Sequence, residues 1–302
     1  MPSLLKPLTS SLKRVVQVLA KFLQPLIRAI ARIIPLAPQQ WAQLDLLKTL
    51  VQRDMSARYK GSVVGNFWPL LNQLSQLFIY TYVFAIVLEV RLSLKGVDAD
   101  NSFVFGLWLF GGLVPWLAFS SGLSQAASAV IVNTNLVKKV VFPLSLLPLV
   151  PILSSFLEST FGLMLLIAFV VIFVSHTLYP TLLLLPLVWL PQLLLTAGIG
   201  YLAAGLTVFI RDIPQTLGVI LNLWFYGTPL IYPAEMIPTS LQRWVFWLNP
   251  MAAIAEMYRD MILVGSVTHW GEWIVALCVS CAVFWGGFWC YKRLRPSFAD
   301  VL

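Results

Sequence analysis

The chain reads as an all-α integral membrane protein. Three observations carry that fold class. Hydrophobic residues make up 59% of it and charged ones only 11%, where a soluble domain carries about 25% charged residues. Mean hydropathy is +0.86. Apolar runs recur that exceed the ~20 residues a helix needs to cross a bilayer. In a soluble protein the net charge of +8 would point to nucleic acid. Here the basic residues cluster at the two ends, so membrane lipid is the expected anionic partner and no nucleic acid is expected. Cys278, Cys281 and Cys290 all fall in the last apolar run with no histidine beside them. They read as small packing residues, and no metal site is expected.

Residues 1–40 form a basic amphipathic arm. Lys6, Lys13, Arg14, Lys21, Arg28 and Arg32 alternate with apolar residues and no acid intervenes. A helix lying on anionic lipid fits, since each basic residue near such a surface contributes ~1 kcal/mol. Pro25 and Pro35 interrupt its apolar pattern, unlike the uninterrupted core of a cleavable signal peptide. Residues 41–302 read as one membrane domain.

Leu44, Leu47, Leu50, Val51 and Met55 recur at spacings of three and four among Asp45, Lys48, Gln52, Arg53 and Asp54. That is an amphipathic helix. The stretch Arg53 to Pro69 then turns from basic to apolar. Gly61 and Gly65 can relax the helix there, and Tyr59 and Trp68 suit headgroup depth. Six spans follow, at about Phe67 to Leu88, Phe103 to Ile131, Leu146 to Val174, Thr181 to Ile210, Gln215 to Ile231 and Trp273 to Tyr291. Between the fifth and sixth, residues 233–271 are too long for a turn and rich in Trp and Pro, so a re-entrant helical pair is expected. Such backbone survives at membrane depth only where protein or water lines it. With this topology sixteen lysines and arginines fall on one side and four on the other. Both termini are therefore expected in the cytoplasm.

The string R-D-x-x-x-R-Y-K-x-S-x-x-G-x-x-W-P, from Arg53 to Pro69, resembles the junction between gate helix and first span of ABC-2-type permeases that export polysaccharides. That family includes O-antigen, capsule and teichoic acid exporters. The resemblance assigns Arg53, Asp54, Arg58, Tyr59, Lys60 and Trp68 to a gate helix. Asn135, Leu136, Lys138, Lys139, Phe142 and Pro143, between the second and third spans, resemble the family's coupling helix, with Asn135 able to cap it and Phe142-Pro143 closing it. Arg211-Asp212, after the fourth span, is a weaker echo on the same side. Tyr232, Pro233, Asn249 and Pro250 resemble the paired periplasmic gate helices. What this implies is a channel between two copies of the chain, two separate ATPase subunits beneath, and a lipid-linked polysaccharide as cargo.

The residues agree on where the chemistry is not. ATP hydrolysis needs a glycine-rich phosphate cradle followed by lysine, and no G-x-x-x-x-G-K-[ST] occurs. No cofactor is therefore expected on this chain; ATP and Mg would sit on the partner ATPase. His176 and His269 stand at span boundaries without a ligand-spaced partner and read as interfacial histidines. Glu158 is the one acid inside an expected span. An ionised carboxylate in hydrocarbon costs at least ~2.5 kcal/mol, so it should face protein or a water-filled path, as a gate or channel group or as a local hydrogen bond. No basic residue within a span offers itself as its partner. Two other functions stay open: an ABC-2-type exporter of drugs or small lipids, and an integral-membrane enzyme acting on lipid-linked sugars, which should gather paired acids near one membrane face.

Overall fold

The computed structural model describes residues 38–62, 64–87, 102–138 and 142–302, and all regular structure among them is helical. Most of the basic arm lies outside the described residues. The chain divides into two compact units, residues 1–49 and 50–302. Of the first, the described part is the start of an exposed helix, α1 (Pro38–Arg58), in which the Thr49 hydroxyl donates to Asp45 O.

In the second unit, α1 ends at a turn where Gly61 and Gly65 both adopt left-handed φ, 85° and 56°. Side chains with a Cβ resist that region, so the two glycines break the helix. Ser62 fastens the turn: its hydroxyl accepts from the Gly65 N–H and from Trp68 Nε1 at 2.7 Å. The Ser, Gly and Trp of the sequence string thus form one local device.

Four helices among the described residues are long and apolar enough to cross a membrane: Val104–Val132, Leu144–Ser175, Pro180–Thr207 and Trp270–Val301. They match the expected second, third, fourth and sixth spans. α2 (Trp68–Tyr80) carries Asn72, Gln73, Ser75 and Gln76 near its start and continues through a π-helical stretch, Thr81–Val87, beyond which the next residues lie outside the described ones. α7 (Ile213–Gly227) has 15 residues, about 22 Å of helix against a hydrocarbon core of about 30 Å.

The central helix is α3 (Ser102–Val132), whose most apolar stretch is 83% buried, against 22–39% for the other three spanning candidates. After one helical turn, α4 (Thr134–Val137), come α5 (Leu149–Val170) and α6 (Leu185–Thr207). The helical run containing α5 ends at His176, whose φ of 53° stops it. Two short helices, α8 (Thr239–Leu248) and α9 (Pro250–Arg259), lie between α7 and the last long helix, α10 (Trp270–Leu294). A final turn, α11 (Phe298–Val301), buries Phe298. α6 and α10 meet backbone to backbone. A Cβ added at Gly287 would overlap the carbonyl of Gly198, and one at Gly198 would lie 2.6 Å from the Phe284 backbone. Small residues permit this approach where lipid supplies little driving force between helices.

Candidate functional site

The last turn of α1 and the middle of α5 meet through charge. Arg58 Nη1 lies 3.3 Å from both carboxylate oxygens of Glu158, and Arg58 Nε donates to Asp54 Oδ2 at 2.9 Å, one turn back on α1. The Tyr59 hydroxyl donates to Glu158 Oε1 at 3.0 Å. The Arg58 and Glu158 side chains are only 17% and 16% exposed. Burial, the Glu158 charge and the hydrogen bond to it push the Tyr59 phenol up to about 12 against the opposing effect of Arg58, so Tyr59 stays a donor. Glu158 stands nine residues into α5, about 14 Å along its axis. No basic residue within a span was expected to pair with it, and the cation it meets comes from outside the spans, at the end of α1. Arg53 and Lys60 are exposed and Trp68 is 41% exposed on the Ser62 turn.

A second cluster lies where α3 passes into α5. The expected helix is a single turn, Thr134–Val137, with Asn135 and Lys138 exposed and Leu136 half-buried. Asn135 sits inside the turn and caps nothing. Asn133 flanks it instead, and its Nδ2 donates back to Ala129 O at 2.8 Å, finishing α3. Lys139 lies outside the described residues. Phe142 packs against the apolar cluster formed by Val137, Leu144, Leu147, Tyr201, Tyr291 and Phe298, and Pro143 leads into the next turn. Arg211 and Asp212 are exposed in the turn between α6 and α7, which closes on the Asp212 carbonyl.

Residues 45–263 of this arrangement match the ABC-2 type transporter family. The chain belongs to that family. Its relatives include the O-antigen export system permease proteins RfbA of Klebsiella pneumoniae and of Myxococcus xanthus, each 29% identical over 85% of this chain and 95% of their own length. The polysialic acid transport protein KpsM of Escherichia coli is 20% identical over 74% of this chain and 83% of its own.

In this ABC-2 transporter chain Tyr232, Pro233, Asn249 and Pro250 gather at the α7–α9 junction, while Glu158 does not join them. Asn249 accepts from Trp224 Nε1 at 2.8 Å and donates to Thr228 Oγ1 at 2.8 Å, and Tyr232 donates to Tyr226 O. Pro233 and Pro250 are buried, and Pro250 opens α9, where a missing N–H costs nothing.

Two features of this region escaped the sequence. Arg259 is buried, not a loop charge. It stacks over Trp108 at 3.5 Å and donates to Pro229 O, Leu230 O, Trp108 O and, at 2.6 Å, to Glu256. The signal was faint, an acid and a base three apart in an apolar stretch. His269 has a partner after all: Asp260 Oδ2 lies 2.9 Å from its Nδ1 and accepts from the Thr268 N–H and hydroxyl. Burial pushes the Asp260 carboxyl up, but the bonds from His269 and Thr268 outweigh it and hold it below 3.8. The bond to Asp260 raises His269 above its ordinary 6.5 against the effect of burial, with Asp260, Glu256 and Glu272 adding charge.

Proposed function

We propose that this chain is the membrane subunit of an ATP-driven exporter that moves a lipid-linked polysaccharide such as O-antigen across the bacterial inner membrane. The observation that carries the reading is the extent of likeness to permeases named for O-antigen export, over 85% of this chain and 95% of theirs. Two copies flank the path, each with six spans and both termini in the cytoplasm, so that α2 and α7 complete the set. Two separate ATPase subunits hold the nucleotide and Mg. The polar face of α2 fits this assembly, since Asn72 and Ser75 are exposed on the single chain and such groups in a membrane call for protein or water.

ATPase closure pushes the 133–143 loop. α1 answers as a gate, with Arg58 holding Glu158 in the resting state, and the α8–α9 pair forms the gate on the periplasmic side. The enzyme alternative is less favoured: Glu256 is paired with Arg259 and Asp260 with His269, and the approaching Asp54 and Glu158 have Arg58 between them. The drug-exporter alternative fits less well the names of the relatives at 29% identity.

The test is deletion and restoration. Cells without the chain lose surface polysaccharide and hold the polymer inside, and the chain restores export only with its ATPase. Intact surface polymer with lost drug efflux would move the assignment to the drug alternative. The purified chain alone hydrolyses no ATP. Phe142→Ala at matched expression keeps ATP turnover but lowers export; normal export by this variant would remove the loop from the coupling path.

A further inference from the structure

Two buried hydroxyls near the 133–143 loop have no part in the function so far. Tyr291 of α10 donates to Leu144 O at 2.8 Å, and Tyr201 of α6 donates to Ser145 O at 2.9 Å. Adjacent carbonyls are thus held from two different spanning helices. They are available because Pro148 stands four residues after Leu144 and three after Ser145, and proline has no N–H to offer. Leu144 O keeps only the tighter bond from Leu147 N at 3.1 Å, and a buried carbonyl wants its partners.

The rings around these hydroxyls are continuous. Tyr201 and Tyr291 lie 5.2 Å apart, Tyr291 packs on Phe298 at 5.4 Å and Tyr201 on Phe288 at 5.1 Å. Tyr201, Tyr291 and Phe298 are at most 2% exposed. Leu136 and Phe142 of the loop pack against the same cluster. The turn Leu144–Leu146 is therefore bolted to α6 and α10 where the helical run through α5 begins, and α5 carries Glu158.

We propose that Tyr201 and Tyr291 are positioning residues for energy coupling: their hydroxyls fix the exit of the loop, so that its displacement is delivered along α5 to Glu158 and Arg58. Without them the displacement is absorbed at Pro143, which stands outside regular helix at φ −75° and ψ 87°. This rests on reading the 133–143 loop as the ATPase contact. Coupling between separated sites can be carried by a rigid secondary element, and the continuous helical run Leu144–Ser175 joins the clamped turn to Glu158.

Tyr→Phe removes the hydroxyl and keeps the ring. In the complete exporter with its ATPase, Tyr201→Phe/Tyr291→Phe is expected to insert and to hydrolyse ATP, while polymer exported per ATP falls at least threefold and amide exchange across residues 142–147 rises at least threefold. Each single variant gives a smaller fall. Lowered abundance with unchanged export per ATP would overturn the proposal and leave the tyrosines a purely structural role. Should the double variant not accumulate, the singles are read by the same ratio, and an unchanged ratio in both overturns it. Phe142→Ala runs alongside. If it uncouples while the tyrosine variants are silent, this proposal alone fails; if it too is silent, the loop reading fails and takes the proposal with it.

Discussion

Arg58 and Glu158 stand one hundred residues apart in sequence, yet Arg58 Nη1 lies 3.3 Å from both oxygens of Glu158. Each is mostly shielded, and removing one partner of a buried pair leaves the other uncompensated, at a cost of up to ~3–5 kcal/mol. Arg58→Gln and Glu158→Gln are each expected to lower the melting temperature in detergent, and the double variant to lie well short of the sum of the two shifts. Additive shifts would mean that the two charges do not stabilise each other.

Arg259 offers a sharper case because it serves three carbonyls and Glu256 at once. Arg259→Met removes the donor from all four acceptors, leaves the Glu256 charge without its cation, and should cost several kcal/mol, enough to prevent accumulation in the membrane. Arg259→Lys supplies charge without the planar fork and should fall between. Arg243 is exposed on α8, so Arg243→Ala should shift the melting temperature by little. Immunoblots of membranes and thermal unfolding read all three, and equal behaviour of Arg243→Ala and Arg259→Met would refute the clamp.

At the α6–α10 contact, Gly287→Ala places a methyl on the Gly198 carbonyl and forces the helices apart. Its neighbour Gly286 has open space where a Cβ would go. Gly286→Ala should therefore be neutral or stabilise by ~0.5–1 kcal/mol through helix propensity, while Gly287→Ala destabilises. Similar melting curves for the two variants would contradict the close approach.

The Asp260–His269 pair predicts a pH window. His269 has its folded value raised above 6.5, so its contribution is complete below 6.5 and fades as pH rises through the folded value. Asp260 has its value lowered below 3.8, so its contribution is complete above 3.8 and fades as pH falls through the folded value. Both are complete from about pH 4 to 6.5, taking the groups' ordinary values as bounds. Thermal stability measured across pH should decline above that window, and His269→Gln should flatten the decline. An unchanged slope in His269→Gln would assign the pH dependence to other groups.

What the sequence by itself determined is what local pattern can encode. Hydropathy over twenty residues placed three of the four long helices within a few residues and the start of the last, whose helical run continues ten residues past Tyr291. Gly61 and Gly65 marked a break whose bonds, through Ser62 to Gly65 and Trp68, all fall within one short stretch. The family was legible for the same reason, since its signature is contiguous. Only the tertiary structure decided who partners Glu158, that Arg259 is buried, and that Tyr201 and Tyr291 seize adjacent carbonyls 56 and 147 residues away. These pairings depend on which faces of separate helices meet. Hydrophobic burial drives helices together without direction, so the register in which a guanidinium or hydroxyl finds its acceptor follows from close packing across the bundle, as where Gly198 and Gly287 let α6 and α10 touch.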